Sequence, residues 1–137
     1  MTTPLFGTIG IASTGVTLYR KWLDAVADNI ANISTVHRTN EAAFQTKYVI
    51  AQAVDYGSGE GGVQVGGIGL GSPVGRLVYE PDHPLADANG NVKYPDIDLG
   101  AQMAQMIMAQ RGYQANLAVV DRAHDAYAAA IQVGRSS

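Results

Sequence analysis

Cysteine is absent from the 137-residue chain, which excludes disulfide frameworks, thiolate metal sites and thiol nucleophiles together. Charge is scarce: Asp, Glu, Lys and Arg make up 15% of the residues, against about 25% in ordinary soluble domains. A basic excess is lacking too. Nine Lys and Arg against twelve Asp and Glu leave a formal charge of −3, which argues against a protein that lives on nucleic acid. No run of ~18 apolar residues exists, so no transmembrane segment is expected. The start carries no basic leader, and Gly7, Gly10 and Gly15 interrupt its apolar stretch, so no cleaved secretory signal is expected. What is present in quantity is hydrophobic surface, 47% of the residues. That excludes a disordered chain, which needs low hydrophobicity and high charge. The length suits one domain, or one compact piece with extensions.

Three textures divide the chain, and the expected segments are 1–33, 34–98 and 99–137. In the first, Ile9, Ala12, Val16, Tyr19, Leu23, Val26, Ile30 and Ile33 recur in alternating steps of three and four, the signature of a helix with one narrow apolar seam. The last segment repeats the pattern at Leu99, Met103, Met106, Tyr113, Leu117, Val120, Tyr127 and Ile131, passing through the polar Gln110 and His124. Asp98 stands where an N-cap belongs and Gly134 where a C-terminal stop belongs. Between them, residues 47–53 and 76–80 are β-favouring runs, and residues 62–66 alternate in the same way. Nine of the sixteen glycines lie between Gly57 and Gly75, so that stretch is expected to be loop or tight hairpins. Asn89 and Gly90 signal a hairpin turn. The expected fold is mainly α, with long N- and C-terminal helices and a small β-rich, Gly-rich insert between them.

The terminal helices are short of charge. Within residues 5–33 only Arg20, Lys21, Asp24 and Asp28 are charged, and within 99–133 only Arg111, Asp121, Arg122 and Asp125. A helix with one neighbour normally turns a broad charged face to water. Here the other faces are Ala, Thr, Asn, Gln, Met and Gly, a surface of the kind that meets other proteins. Each helix is therefore expected to touch several neighbours, as in a bundle built from many copies. A compact helical hairpin with an Ala-rich surface remains an alternative from the pattern alone. So does a two-stranded coiled-coil dimer, although the seam lacks the flanking Glu and Lys that such dimers use. Isolated helices are marginal in water, so loosely paired or disordered termini are expected in the dilute monomer.

Catalytic and ligand motifs do not hold together. Gly57, Gly59 and Gly62 satisfy a G-x-G-x-x-G spacing, but more glycine and an alternating Val-Gln-Val follow where a dinucleotide site needs a helix. Residues 66–71 look like one calcium β-roll turn with Gly71 in place of the ligating aspartate. Asp87, Asn89 and Asn91 alternate as calcium-loop oxygens do. Val92, however, stands where the glycine is needed, and Asp98 where the bidentate Glu is needed. His37, His83 and His124 are far apart in sequence. Asp121 and Asp125 share a helix face beside Arg122 and read as solvated charges. Neither G-x-S-x-G nor Ser-x-x-Lys is present. No cofactor, no metal and no enzyme activity is expected.

Three motifs stand together nonetheless: Ala-Asp-Asn-Ile-Ala-Asn at 27–32, a Pro-Leu-Ala-Asp segment at 84–87 followed by Gly90 and Lys93, and Arg-Gly-Tyr-Gln-Ala-Asn at 111–116. This combination resembles the flagellar axial proteins, the rod and hook family, over nearly the whole chain. The 84–93 segment and the sequence Ser34, Thr35, Val36, His37 favour the short proximal-rod members over the distal rod and hook proteins. Gly112 departs from the larger residue of many relatives and costs up to ~1 kcal/mol of helicity relative to alanine. The resemblance implies a structural subunit of the basal-body rod whose terminal helices form a coiled-coil pair. It implies export by the flagellar type III apparatus without signal cleavage. The implied partners are other copies of the chain, proximal and distal rod subunits, and a motor–rod junction protein. Candidate interface residues are Val16, Tyr19, Leu23, Val26, Ile30, Tyr113, Leu117, Val120 and Tyr127, with the motif amides Asn29, Asn32, Gln114 and Asn116 fixing register. The alternative function is a cytoplasmic helical-hairpin adaptor or export chaperone.

Overall fold

A computed structural model describes residues 4–57 and 61–136. The first three residues, the side chains of Pro4 and Leu5, and Ser137 lie outside the described residues. So do Ser58, Gly59 and Glu60, and with them the middle of the G-x-G-x-x-G spacing. Helix α1 runs Pro4–Ala31. Four strands follow, β1 Lys47–Asp55, β2 Gly61–Leu70, β3 Arg76–Tyr79 and β4 Asn91–Tyr94, and helix α2 runs Leu99–Ser136. With 28 and 38 residues the helices extend about 42 and 57 Å. Neither is long and apolar enough to cross a membrane. Asp98 caps α2 as its position suggests: its Oδ1 accepts a hydrogen bond from the Ala101 N–H at 2.7 Å. Gly134 does not stop α2, which continues to Ser136. It stays out of the left-handed region that a glycine cap occupies.

The expectation of a mainly α chain with a small β insert is overturned. The described residues are 50% helix and 22% strand, and the strands form two separate antiparallel pairs, β1 with β2 and β3 with β4. The fold is mixed α/β. The physical reason lies in the glycine-rich stretch, much of which is the ten-residue strand β2 rather than loop. Glycine weakens a strand because it has no side chain to pack. Here strand β1 supplies the missing cover: the Tyr48 ring lies over Gly69, and the Gln52 side chain lies where a Cβ on Gly66 would be. This is aromatic rescue of a glycine across the ladder. Ile50 pairs with Gly67 and Ala51 with Val65, so Gly66 is the extra residue of a bulge.

Around β3 and β4 the chain is organised by main-chain bonds. His37 and Lys93 exchange both of theirs, at 2.8 and 2.9 Å, which attaches the segment after α1 to the open side of β4. Val92 is completely buried there, and Pro95 and Ala43 nearly so. Asn89 and Gly90 do turn, with Gly90 at φ +75°, but inside an eleven-residue connection rather than a two-residue hairpin. Asp87 holds that connection: its Oδ1 accepts from the N–H groups of Asn89 and Asn91 at 2.8 and 2.9 Å, and its Oδ2 from the Thr39 hydroxyl at 3.1 Å. The Asn91 N–H above all, with smaller help from Asn89 and Thr39, keeps this carboxyl below its ordinary pKa.

Candidate assembly interface

The two helices lie antiparallel along their length. Phe6 meets Tyr127 edge-on with ring centres 5.5 Å apart. Further along, Asn116 sits against Gly15 and Tyr19 lies over Gly112. Then the Trp22 indole N–H points at Gln105 Oε1, 3.4 Å away, and Asn29 meets Gln102. Two of these contacts are reciprocal notches. A Cβ on Gly15 would stand 2.5 Å from Asn116 Oδ1, and a Cβ on Gly112 would run into the Tyr19 ring. Each helix thus accepts one bulky side chain of the other where it has none itself, which answers the question raised by Gly112 in a helix interior. Tyr19 cannot swing aside freely, because its ring stacks on Trp22 at 5.9 Å. Asn116 also donates to the Gly112 carbonyl at 2.8 Å, which fixes its side chain over the notch.

At the closed end of the pair, Asn29 joins three elements. Its Nδ2 donates to the Lys47 carbonyl at 2.8 Å and to Gln102 Oε1 at 2.9 Å, while its Oδ1 accepts the Lys47 N–H at 2.7 Å. The side-chain amide therefore pairs with the first residue of β1 as another strand would, and ties α2 to the same point. Asn29 is 1% exposed, and every polar atom of this node that is buried has a partner. Outside it, Lys47 Nζ bonds Asp28 Oδ2 at 2.5 Å. At the other end of the hairpin, Thr14 Oγ1 accepts the Val63 N–H at 3.1 Å, so β2 also rests on α1. Asn32 turns inward on its own helix end, donating to the Asp28 carbonyl at 2.8 Å and accepting from the Thr35 hydroxyl at 3.1 Å.

The remaining expected interface residues divide by face. Val26 is buried in the helix pair. Val16, Tyr19, Leu23, Ile30, Asn32, Tyr113, Asn116 and Val120 are half-buried, and Gln114 is exposed. Leu117 and Tyr127 are 37% and 42% exposed. The face that α2 turns to α1 is centred one residue before much of the expected stripe, on Gln102, Gln105, Ala109, Gly112, Asn116 and Ala123, with the stripe's half-buried Met106, Tyr113 and Val120 beside them and Tyr127 against Phe6. At about 100° per residue, Leu99, Met103 and Leu117 then fall on one flank of that face, Met108, Val119 and Val133 on the other, and Ile107 on the side opposite it. All are exposed, Met103 by 55% and Val133 by 70%. The sequence missed Gln102, Gln105, Trp22, Gly15 and Lys47 as organisers of the pair. The only signal available was the polar spacing of Gln102 and Gln105, which alone reads as solvated.

Total exposed surface bears on the same point. A compact monomer of 14.4 kDa has about 6,800 Å² of accessible surface, whereas this chain has 8955 Å². The excess of about 2,100 Å² exceeds the ~800 Å² per partner of a standard interface more than twofold. A groove of about 700 Å³ between α1 and the β1–β2 hairpin has an alanine floor, and Asp28 and Lys47 on its rim pair with each other. Among the described residues no three His, Asp or Glu converge to hold a metal ion.

Residues 88–133 match the family described as Flagellar basal body rod FlgEFG protein C-terminal. The chain is 37% identical to the flagellar basal-body rod protein FlgC of Salmonella typhimurium over 119 residues, covering 85% of this chain and 88% of that protein. It is 33% identical to FlgC of Agrobacterium fabrum over 136 residues, 98% of each chain. It is 30% identical to FlgC of Borreliella burgdorferi over 148 aligned positions, 94% of this chain and 97% of the relative.

Proposed function

The chain belongs to the FlgC family of flagellar basal-body rod proteins, and we propose that it joins the proximal rod by laying its two terminal helices against those of neighbouring subunits. It is a structural subunit of the flagellar basal body. Its work in this reading is mechanical: to polymerise and to carry torque from motor to hook and filament. The observation that carries the reading is the pair of exposed apolar flanks on α2. Full burial of a large apolar side chain contributes about 1.5–3 kcal/mol, so covering the exposed part of Leu99, Met103 and Leu117 contributes about 1 kcal/mol each. One flank alone is modest; contacts on both flanks of every subunit would supply the cohesion. The partners are further copies of the chain and other rod proteins, proximal, distal and at the motor–rod junction. Delivery is through the flagellar type III export apparatus, and a chain without cysteine suits unfolded passage.

Sedimentation of the purified chain, alone and with other rod subunits, tests this. The wild type is expected to enter large species, and Met103→Glu with Leu117→Glu to stay small with unchanged far-UV helix content. A wild-type chain that stays a small, fully helical monomer at high concentration, with and without the other subunits, overturns the proposal.

A further inference from the structure

We propose that Asn89 is a site of self-modification, deamidation through a cyclic imide, and that Asp87 holds the reaction back in the folded chain. Asn89 precedes Gly90 in the chain's single Asn–Gly pair. The chemistry needs a backbone nitrogen that can reach the side-chain carbonyl of the residue before it. Glycine offers the least obstruction because it has no Cβ. The Gly90 nitrogen, having lost its proton to solvent, attacks Asn89 Cγ. The new C–N bond forms, the Cγ–Nδ2 bond breaks, and ammonia leaves. Water then opens the imide at either carbonyl, giving aspartate or isoaspartate at position 89.

Both partners in the step are present for reasons that do not depend on each other. Gly90 is required by the fold: at φ +75° a Cβ there would stand 2.8 Å from the Tyr79 ring and 3.1 Å from Pro81. Asn89 is not required by any side-chain bond, since its exposed amide makes no hydrogen bond among the described residues. What restrains the pair is Asp87. The Gly90 N–H, the future nucleophile, donates to the Asp87 carbonyl at 2.9 Å. The Asn89 and Asn91 N–H groups on either side donate to the Asp87 carboxylate. The Gly90 carbonyl in turn accepts from the Glu80 N–H at 2.8 Å. Attack requires Gly90 to leave its bond and rotate, which these four bonds oppose together. Reaction therefore proceeds from a locally opened turn. Isoaspartate lengthens the main chain by one methylene and adds a negative charge beside Asp87, so the product turn does not close again in the same form.

The experiment incubates the full chain in mildly alkaline buffer and follows the peptide containing residue 89 by mass spectrometry, with chromatographic separation of the aspartate and isoaspartate forms. Four samples are compared: folded wild type, wild type in concentrated urea, folded Asp87→Ala, and Asn89→Ser as a blank. Folded wild type is expected to convert about tenfold or more slowly than the urea sample, as for a reaction gated by local opening. Asp87→Ala, checked as folded by circular dichroism, is expected to convert several-fold faster than folded wild type. Equal rates in folded and urea-treated wild type overturn the restraint. No conversion in urea overturns the site itself, and an Asp87→Ala rate equal to folded wild type overturns the role given to Asp87.

Discussion

Two glycine-to-alanine substitutions in the same helix pair are expected to have opposite effects. Gly10 lies in α1 with nothing within 4 Å of a built Cβ. Gly10→Ala therefore gains the intrinsic helicity difference, about 0.5–1 kcal/mol, with no opposing contact. Gly112→Ala gains the same amount and loses more. Its Cβ meets three carbons of the Tyr19 ring, and that ring is stacked on Trp22. Forcing one extra carbon into a packed contact costs about 1–3 kcal/mol. The net for Gly112→Ala is about 0–2 kcal/mol destabilising, so the two variants should differ by about 1–3 kcal/mol. Urea unfolding followed by far-UV circular dichroism reads the difference as midpoints that move in opposite directions. Combining Gly112→Ala with Tyr19→Leu should recover most of the loss, because the obstruction is removed with the ring. Loosely paired helices in the dilute monomer would let both alanines stabilise alike. That outcome refutes the notch as a feature of the free chain.

Two other perturbations follow from the polar contacts. Asn29→Ala leaves the Lys47 main-chain groups and Gln102 Oε1 without their partner. Unmade buried hydrogen bonds cost about 1–3 kcal/mol each; with water reaching the half-exposed Lys47, a loss of about 2–4 kcal/mol is expected in a thermal melt, and a change within 0.5 kcal/mol contradicts the node. In the folded chain the carboxyl of Asp87 titrates below its ordinary value of 3.8, so its contribution is present above pH 3.8 and is lost as pH falls through the lowered folded value. Acid titration followed by NMR at Asn89 and Asn91 should show the 80–90 connection loosening only below that pH. Loosening between pH 5 and 4 contradicts the assignment.

Both helices could be read from the alternating three and four spacing, and the N-cap of α2 from Asp98 alone, because these are local features. The length of β2 could not. Its glycines argue against a strand until Tyr48 and Gln52, fourteen and more residues earlier in the chain, are placed over them. Gln102 was illegible for a similar reason. A polar residue beside a seam reads as solvated, and only the distant Asn29 turns it into a buried partner. Over much of α2 the residues nearest α1 stand one position before the stripe, although Tyr127 of the stripe meets Phe6. Periodicity of large apolar side chains reports that a face is to be covered, not which neighbour covers it. Close approach between two helices is set instead by the smallest residues, and in α2 those are Ala109, Gly112 and Ala123.

This division of labour has a consequence for how the chain responds to mutation. The closest approach between α1 and α2 is made at alanine, glycine and amide side chains, with Val26 and the rings of Phe6, Tyr19 and Tyr127 packed around it, and it admits one register, since each notch accepts one side chain. The large apolar residues flank that contact and contribute little until something covers them. Pair stability and assembly strength should therefore separate. Changes at Gly15, Gly112, Asn29 or Gln102 act on the shape of the single subunit. Changes at Met103 or Leu117 act on association, because exposed positions ordinarily alter folding by no more than about 0.5 kcal/mol. In a subunit built this way the notches set the register of the helix pair, and the exposed apolar flanks would add cohesion only where neighbours cover them.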